Sequence, residues 1–187
     1  FNETLRYFEY QIKVLNITVK LNTKAEIDNL KNFDECIVAT GILPRTPKIE
    51  GMEHSKVLSY LDVLKEHKKV GAKVAIIGAG GIGFDVAEYL THGKNEDFYL
   101  TWGIDVEMDH RGGLEQPHQF PAMRQVYLLQ RKKERIGKRL GKTTGWIHRQ
   151  SLKKKGVQSI AGVSYKKIDE HGLHIEIDGK AKLLEVD

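Results

Sequence analysis

The hydrophobic and polar positions of this chain follow two different periods. In residues 2–16 (NETLRYFEYQIKVLN) apolar side chains recur at steps of three and four, which predicts an amphipathic helix with Asn2 as its N-cap. In residues 73–78 (KVAIIG) they form a short continuous run rich in β-branched residues, which is typical of a strand buried on both faces. A chain that carries both patterns is expected to fold as a mixed α/β protein.

Beyond residue 78 the two patterns alternate. An amphipathic helix follows the first strand, and residues 125–133 (QVYLLQRKK) predict a second buried strand. Residues 143–156 predict a helix with Trp146 in the core, and residues 157–163 predict a third strand. The order β-α-β-α-β predicts a Rossmann-like parallel sheet whose strands are joined by crossover helices.

The last part of the chain changes to strict alternation. Residues 165–186 place apolar and polar side chains in turn, interrupted at His171-Gly172 and at Asp178-Gly179. Such dipeptides between alternating segments indicate tight turns. The fold class predicted from the residues is therefore α/β, a parallel sheet with crossover helices followed by a three-stranded antiparallel β-meander.

Two regions have weaker patterns. Residues 17–21 and 35–41 predict short strands, and the prolines that follow Gly41 predict a domain boundary near residues 41–48. The strand at 35–41 is predicted to fill a vacant position in a sheet, within this chain or in a neighbouring one. Residues 91–124 contain several glycines and histidines with little periodicity, and we interpret them as an insertion.

A glycine-rich turn joins the first buried strand to its helix. Gly78, Gly80 and Gly83 match the pattern G-x-G-x-x-G in the context that a dinucleotide site requires. The first glycine permits the tight turn, the second lets a pyrophosphate approach the backbone, and the third lets the helix pack closely on the strand. The N–H groups at the helix start then hold the anion. The residues predicted to bind the nucleotide here are Gly78, Ala79, Gly80, Gly81, Ile82 and Gly83.

A dinucleotide site of this type usually has an acid at the end of the second strand. Two segments compete for that strand: residues 97–105 (DFYLTWGID), which end in Asp105, and residues 125–133, which form the cleaner apolar run. We favour the second, and Gln130 then stands in place of the acid. The adjacent Arg131 and Lys132 would attract a 2′-phosphate, so the predicted cofactor is NADPH and these two cations are predicted site residues.

The composition limits the other classes of function. The chain has 187 residues with a formal net charge of +5, which suits an anionic cofactor, and its single cysteine cannot form an internal disulfide. No signal peptide is visible in it and no apolar run approaches the length of a membrane span, so the predicted location is cytoplasmic. We expect no nucleic-acid partner, because basic and aromatic residues do not interleave.

The histidines of the insertion match no metal-ligand spacing, so no metal site is predicted. The basic segment at residues 137–145 (GKRLGKTTG) resembles a nucleotide P-loop but has one residue too few between its glycines. It is interpreted either as a flexible basic loop near the cofactor or as a helix start capped by Thr143 or Thr144.

Several of these segments together resemble a known family of flavoproteins. The stretches ATGILPRTP, VLSYLDVL, VAIIGAGGIGFDVAEYL, LLQRK and RLGKTTGWIHR are similar to the bacterial NADPH-dependent 2,4-dienoyl-CoA reductases. These enzymes belong with the trimethylamine dehydrogenase-like flavoproteins related to old yellow enzyme. The resemblance covers essentially the whole chain and implies a fold of the FAD/NAD(P)-binding type.

The resemblance also implies how the chain would function. Residues 1–45 would be the tail of an FAD-binding domain, and residues 46–187 an NADPH-binding domain that is incomplete at its C-terminal end. The full-length parent would also carry FAD, FMN and a 4Fe-4S cluster, with the FAD and FMN-barrel domains as partners in one polypeptide. Hydride would pass from NADPH to FAD for reduction of an unsaturated fatty acyl-CoA in β-oxidation, and this chain alone would be inactive.

No catalytic residue is assigned, because the proton donors of that family would lie in the barrel. Two alternatives stay open. The chain could be the pyridine-nucleotide domain of another FAD/FMN/iron–sulfur oxidoreductase, such as a relative of the glutamate synthase small subunit. It could also be a nucleotide-binding module without catalysis.

Overall fold

A computed structural model describes all of residues 1–187 and divides them into two compact units, Phe1–Leu43 and Pro44–Asp187, called here the N-terminal and C-terminal units. No helix has the length and apolar character needed to cross a membrane. The elements are, in chain order, α1 (Asn2–Val14), α2 (Ile27–Leu30), α3 (Tyr60–Leu64), β1 (Lys73–Ile77), α4 (Gly81–Thr91), α5 (Phe98–Trp102), a 3₁₀ turn (Arg111–Gly113), β2 (Gln125–Leu129), α6 (Gly145–Lys154), β3 (Gln158–Ile160), β4 (Val163–Asp169), β5 (Gly172–Ile177) and β6 (Lys180–Leu184).

The N-terminal unit consists of two helices and extended chain. The amphipathic pattern forms α1 as predicted, but the N-cap is Phe1 rather than Asn2, with no side-chain capping bond. The two predicted strands are wrong. Residues 17–21 and 35–41 form no strand, and Ile37 and Val38 are 90% and 78% exposed, so residues 35–41 fill no sheet position within this chain. An apolar run becomes a strand only where a neighbouring strand accepts its hydrogen bonds.

The C-terminal unit contains the predicted parallel sheet, in the order β1-β2-β3. Residue 73 of β1 lies opposite residue 125 of β2, and Ile77 lies opposite Leu129. Residues 125–129 are therefore the strand beside β1, as favoured from the sequence. The competing segment forms helix α5 instead, because the Asp97 side chain caps it at the Leu100 N–H and Gly103 ends it in the left-handed conformation.

Different elements pack on the two faces of this sheet. Helices α4 and α6 bury one face, where Phe84, Leu90 and Leu128 are almost fully inaccessible to solvent. The meander, in the order β4-β5-β6, buries Leu129 and Ile175 in a second core on the other face. Trp146 is an exception to the predicted core, because it lies at the start of α6 and is 57% exposed. The α/β class with its meander is confirmed.

Two lysines at the end of α6 hold the insertion. The Lys154 Nζ donates to the Thr101 carbonyl at 2.7 Å and lies 4.2 Å from the Trp102 ring centre. The Lys155 Nζ lies 2.5 Å from a Glu96 carboxylate oxygen, and both side chains are more than 90% buried. Burial opposes ionisation of Glu96, but Lys155 and the Gly93 N–H outweigh it and keep the pKa of this carboxyl below its usual value.

One edge of the parallel sheet is open. No strand pairs with β1 on the side away from β2. At the beginning of that edge the Asp187 N–H donates to the Lys73 carbonyl at 3.0 Å, and the Asp187 carboxylate accepts from the Ala72 and Lys73 N–H groups. Beyond this point the edge lines a cleft of about 850 Å³ within the C-terminal unit, called here the β1 cleft.

Candidate functional site

The glycine turn between β1 and α4 presents bare backbone on one side and close packing on the other. Gly78 has a φ of +119°, and a side-chain carbon at Gly78, Gly80 or Gly81 would meet no atom within 4 Å. At Gly83 such a carbon would overlap the Gly78 carbonyl oxygen. The first three positions therefore leave space for a ligand against the backbone, whereas only glycine fits at position 83.

The start of α4 provides unpaired donors beside this space. Its first backbone bond runs from the Phe84 N–H to the Gly80 carbonyl at 3.1 Å, so the N–H groups of Gly81, Ile82 and Gly83 have no acceptor within the helix. Together with the helix dipole they form a site for an anion such as a pyrophosphate. The turn also lines the β1 cleft, to which Ile82 contributes an apolar side chain that is 43% exposed.

The end of β2 lies beside this turn. The Gly78 N–H donates to the Leu129 carbonyl at 3.0 Å, so the segments that leave β1 and β2 start next to each other. Gln130, Arg131 and Lys132 follow at once. The two cations are exposed and contact no carboxylate. The structure thus places all the predicted site residues at the carboxyl ends of neighbouring parallel strands, where open α/β sheets bind their ligands.

The other cations of this region are paired with acids. Lys133 contacts Asp178 at 2.6 Å, and Lys138 and Arg139 contact Glu134 at 3.1 Å and 3.6 Å. The bond from Lys138 lowers the pKa of the Glu134 carboxyl despite some desolvation, so Glu134 stays charged near neutral pH. The positive charge that faces solvent without a carboxylate contact is therefore carried by Arg131 and Lys132, with Arg135 and Lys142 farther along the chain.

The sequence pattern does not single out Tyr165 as a residue with an altered pKa. Its phenol is largely buried between the parallel sheet and the meander, and burial raises its pKa to about 12, while the positive charge of Arg131 opposes that rise. Alternation within the meander predicts only that Tyr165 faces inward, and the chain separates it from Arg131 by a helix and a strand.

The basic segment 137–145 is held in place. The Arg149 guanidinium donates to the Gly137 carbonyl at 3.0 Å, and Gly137 has a φ of +72° against the ring of Phe84. Thr144 precedes α6 but makes no side-chain capping bond. Of the two interpretations offered by the sequence, the helix start capped by Thr143 or Thr144 is right in position, because Thr144 is the N-cap residue of α6, but its side chain makes no hydrogen bond to the helix.

Asp105 is not at the end of a strand. It lies buried in the insertion, where its carboxylate accepts from the His110 N–H at 2.7 Å, from the His110 ring at 2.9 Å and from the Glu107 N–H at 3.1 Å. The backbone bond from His110 is the main reason that the pKa of Asp105 is lowered. These bonds stabilise a turn within the insertion. The residues beside the glycine turn are therefore those at the end of β2, and not Asp105.

A sequence profile of one family matches residues 7–187, nearly the whole chain, and its description is pyridine nucleotide-disulphide oxidoreductase. The chain belongs to this family. Membership implies an oxidoreductase domain that works with a pyridine nucleotide and FAD. The α/β fold with its second, antiparallel sheet agrees with that assignment.

Similar proteins are named as reductases. The chain is 46% identical to a cinnamate reductase of Clostridium sporogenes over 88 residues, which are 46% of this chain and 13% of that protein. It is 26% identical to a metal reductase of Desulforamulus reducens over 184 residues, 92% of this chain and 27% of that protein. The chain therefore spans about a quarter or less of the length of these relatives.

One solved structure covers almost all of the chain. It is a complex of 2-naphthoyl-CoA reductase with 2-naphthoyl-CoA, which superposes with a TM-score of 0.67 over 99% of this chain and 24% of that one, at 28% identity. These findings support a flavin-dependent reductase family, which is broader than the 2,4-dienoyl-CoA reductases that the sequence motifs resemble.

Proposed function

We propose that this chain is the NADP(H)-binding part of a flavin-dependent reductase that reduces a conjugated carbon–carbon double bond in an unsaturated acyl-CoA, as 2,4-dienoyl-CoA reductases do. The observation that carries the nucleotide choice is at the end of β2. Gln130 stands where a site for the unphosphorylated nucleotide would have an acid, and two exposed cations without carboxylate partners, Arg131 and Lys132, follow it directly. A 2′-phosphate carries nearly two negative charges near neutral pH and would be attracted there.

The chain's own groups would divide the work of holding the nucleotide. The free N–H groups of residues 81–83 would bind the pyrophosphate, and the bare backbone of Gly78 and Gly80 would let it come close. Arg131 and Lys132 would bind the phosphate on the adenosine ribose. NADPH, when bound, supplies a hydride that FAD accepts.

The substrate class is supported by the names of the similar proteins. Cinnamate and 2-naphthoyl-CoA are both carboxyl compounds in which unsaturation is conjugated, one as a free acid and one as a CoA thioester. A 2,4-dienoyl-CoA has the same conjugated arrangement. Within the full-length parent we propose residues 1–45 as the tail of an FAD domain and residues 46–187 as the NADPH domain, with FMN and a 4Fe-4S cluster elsewhere in the polypeptide.

Titration with both nucleotides tests this proposal. We expect the double variant Arg131→Ala/Lys132→Ala to bind NADPH about tenfold to a hundredfold more weakly, because charge-assisted bonds contribute roughly 1.5–3 kcal/mol each and exposure reduces that value. NADH binding should change little. Isothermal titration calorimetry on the purified chain at fixed ionic strength would measure both constants.

The matched control is Lys138→Ala/Arg139→Ala, which removes the same charge from cations already paired with Glu134. We expect it to change NADPH binding less than threefold. Equal losses in the two double variants would mean that net charge, and not a phosphate site, governs binding. Equal losses of NADPH and NADH in the first variant would exclude the 2′-phosphate role.

Turnover distinguishes the remaining alternatives. The full-length flavoprotein should oxidise NADPH in the presence of a 2,4-dienoyl-CoA, followed at 340 nm. Turnover with cinnamate or an arenoyl-CoA alone would place the chain in a different reductase of the same design. NADPH binding without oxidation by any of these acceptors would favour a nucleotide-binding module.

A further inference from the structure

One side chain closes the turn that carries the two unpaired cations. Residues 130–134, called here the basic turn, leave the end of β2, and the Gln130 side-chain amide lies inside it. Its Nε2 donates to the Lys132 carbonyl at 2.9 Å and to the Glu134 carbonyl at 2.5 Å. A single amide group therefore uses both of its N–H donors for hydrogen bonds to backbone carbonyls of the same turn.

Gln130 is itself fixed at its backbone. Its N–H donates to the Ile160 carbonyl at 3.0 Å, and its carbonyl accepts from the Val163 N–H at 3.0 Å. These two bonds hold it between the end of β3 and the start of β4. The donors of its side chain thus start from a position that the sheet determines.

Two further contacts hold the same turn from outside. The Lys132 carbonyl also accepts from the Gly162 N–H at 3.1 Å, and the Lys133 ammonium is paired with Asp178 of the meander. The backbone of the basic turn is therefore restrained on several sides. The side chains of Arg131 and Lys132 remain exposed and contact no carboxylate.

We infer that Gln130 is a positioning residue that selects the phosphorylated nucleotide by holding the backbone from which Arg131 and Lys132 extend. This inference rests on the proposed NADP(H) function. Ordering a loop and two long side chains at the moment of binding costs conformational entropy, and a turn already closed by Gln130 has lost much of that freedom beforehand. The neutral amide adds no negative charge beside a 2′-phosphate.

The chemistry of the position requires an amide. A glutamate would have the same length but no N–H donor, and its carboxylate would face the two carbonyl oxygens of Lys132 and Glu134. It would open the turn and repel the phosphate at the same time. In a site for the unphosphorylated nucleotide, an acid at this position would hold the ribose hydroxyls. In this chain Gln130 occupies the position and holds the backbone of the basic turn instead.

A thermodynamic cycle tests the inference. Gln130→Met keeps the length of the side chain and removes both donors, and it would be made in the parent chain and in the Arg131→Ala/Lys132→Ala chain. In the parent chain we expect NADPH affinity to fall about fivefold to tenfold, and NADH affinity less than twofold. In the double-alanine chain we expect no further loss of NADPH affinity, because the cations through which Gln130 acts are gone.

Circular dichroism and the thermal midpoint would verify the fold of each variant. If Gln130→Met fails to fold, Gln130→Asn provides the same cycle, because it keeps an amide that is one methylene too short to reach both carbonyls. Equal loss of NADPH and NADH, or the same loss in both backgrounds, would overturn the positioning role. If Arg131→Ala/Lys132→Ala leaves the ratio of NADPH to NADH affinity unchanged, the proposed nucleotide preference itself fails. If that ratio changes while Gln130→Met has no effect, only the present inference fails.

Discussion

The two units of this chain carry equally clear hydrophobic patterns but bury them very differently. In the N-terminal unit no residue of α1 is buried, and Leu5 and Phe8 are 60% and 57% exposed. In the C-terminal unit Leu128 and Leu90, which lie in patterns no stronger, are 0% and 1% exposed. The difference shows that a periodic pattern fixes which face of an element is apolar, whereas burial depends on a second element that faces it.

Limited proteolysis should give the largest contrast between the units. A segment with few buried contacts opens at little cost, and a difference of about 3 kcal/mol in opening corresponds to roughly a hundredfold in cleavage rate. We therefore expect trypsin to cut at Lys20, Lys24 or Lys31 on the order of a hundredfold faster than at lysines of α6. Mass spectrometry of timed digests would identify the sites, and early cleavage within α6 would contradict the comparison.

A matched pair of leucine substitutions tests the same contrast as a stability difference. Leu128→Ala should lower the free energy of unfolding by roughly 2–5 kcal/mol, because it removes fully buried methyl groups and leaves a cavity. Leu5→Ala should change it by less than about 0.5 kcal/mol, because that side chain is already exposed. Urea unfolding would measure both. A large cost at Leu5 would mean that α1 is covered in solution.

A buried ion pair should also contribute more to the free energy of unfolding than an exposed one, with smaller effects than those of the leucines. Glu96→Gln leaves the buried ammonium of Lys155 without its charged partner, and we expect a loss of about 1.5–3 kcal/mol. Asp28→Asn removes the partner of Lys31 in an exposed pair, and the free energy of unfolding should stay unchanged within error. The same urea experiment applies. Equal effects would show that burial does not govern the strength of these pairs.

The smallest expected effect is on the stability of the folded chain at low pH. The pKa of Asp105 is lowered in the folded chain, so the stability that it contributes is present above its unfolded value of about 3.9 and is lost as pH falls through its folded pKa. Asp105→Asn should therefore flatten the fall of the thermal midpoint below pH 4. The control is Asp109→Asn, an exposed neighbour that accepts no side-chain bond. A parallel shift at all pH values would contradict the prediction.

The fold of the C-terminal unit could be predicted because its signals are local. The continuous apolar run at 125–129, the glycines at 78, 80 and 83 and the Asp178-Gly179 turn each contain the reason for their conformation within a few residues. Asp97 and Gly103 also marked the ends of α5, and a capping analysis could have excluded that segment as a strand.

What could not be predicted depends on residues distant in the chain. Ile37 and Val38 have strand character but no ladder partner, and Trp146 lies on a helix end that nothing covers. The bonds of Gln130 depend on how the basic turn closes, and the burial of Tyr165 depends on how the meander packs on the sheet. No spacing rule within the sequence contains that information.

The open edge of β1 has a consequence for how the chain behaves in solution. An edge strand presents unpaired N–H and C=O groups, and β1 is an apolar strand whose outer edge pairs only at its beginning, through Asp187. The backbone groups farther along that edge, in the β1 cleft, can accept an extended segment of another polypeptide. Concentrated solutions of the isolated chain are therefore expected to self-associate through this edge, and charged residues introduced along it would raise solubility.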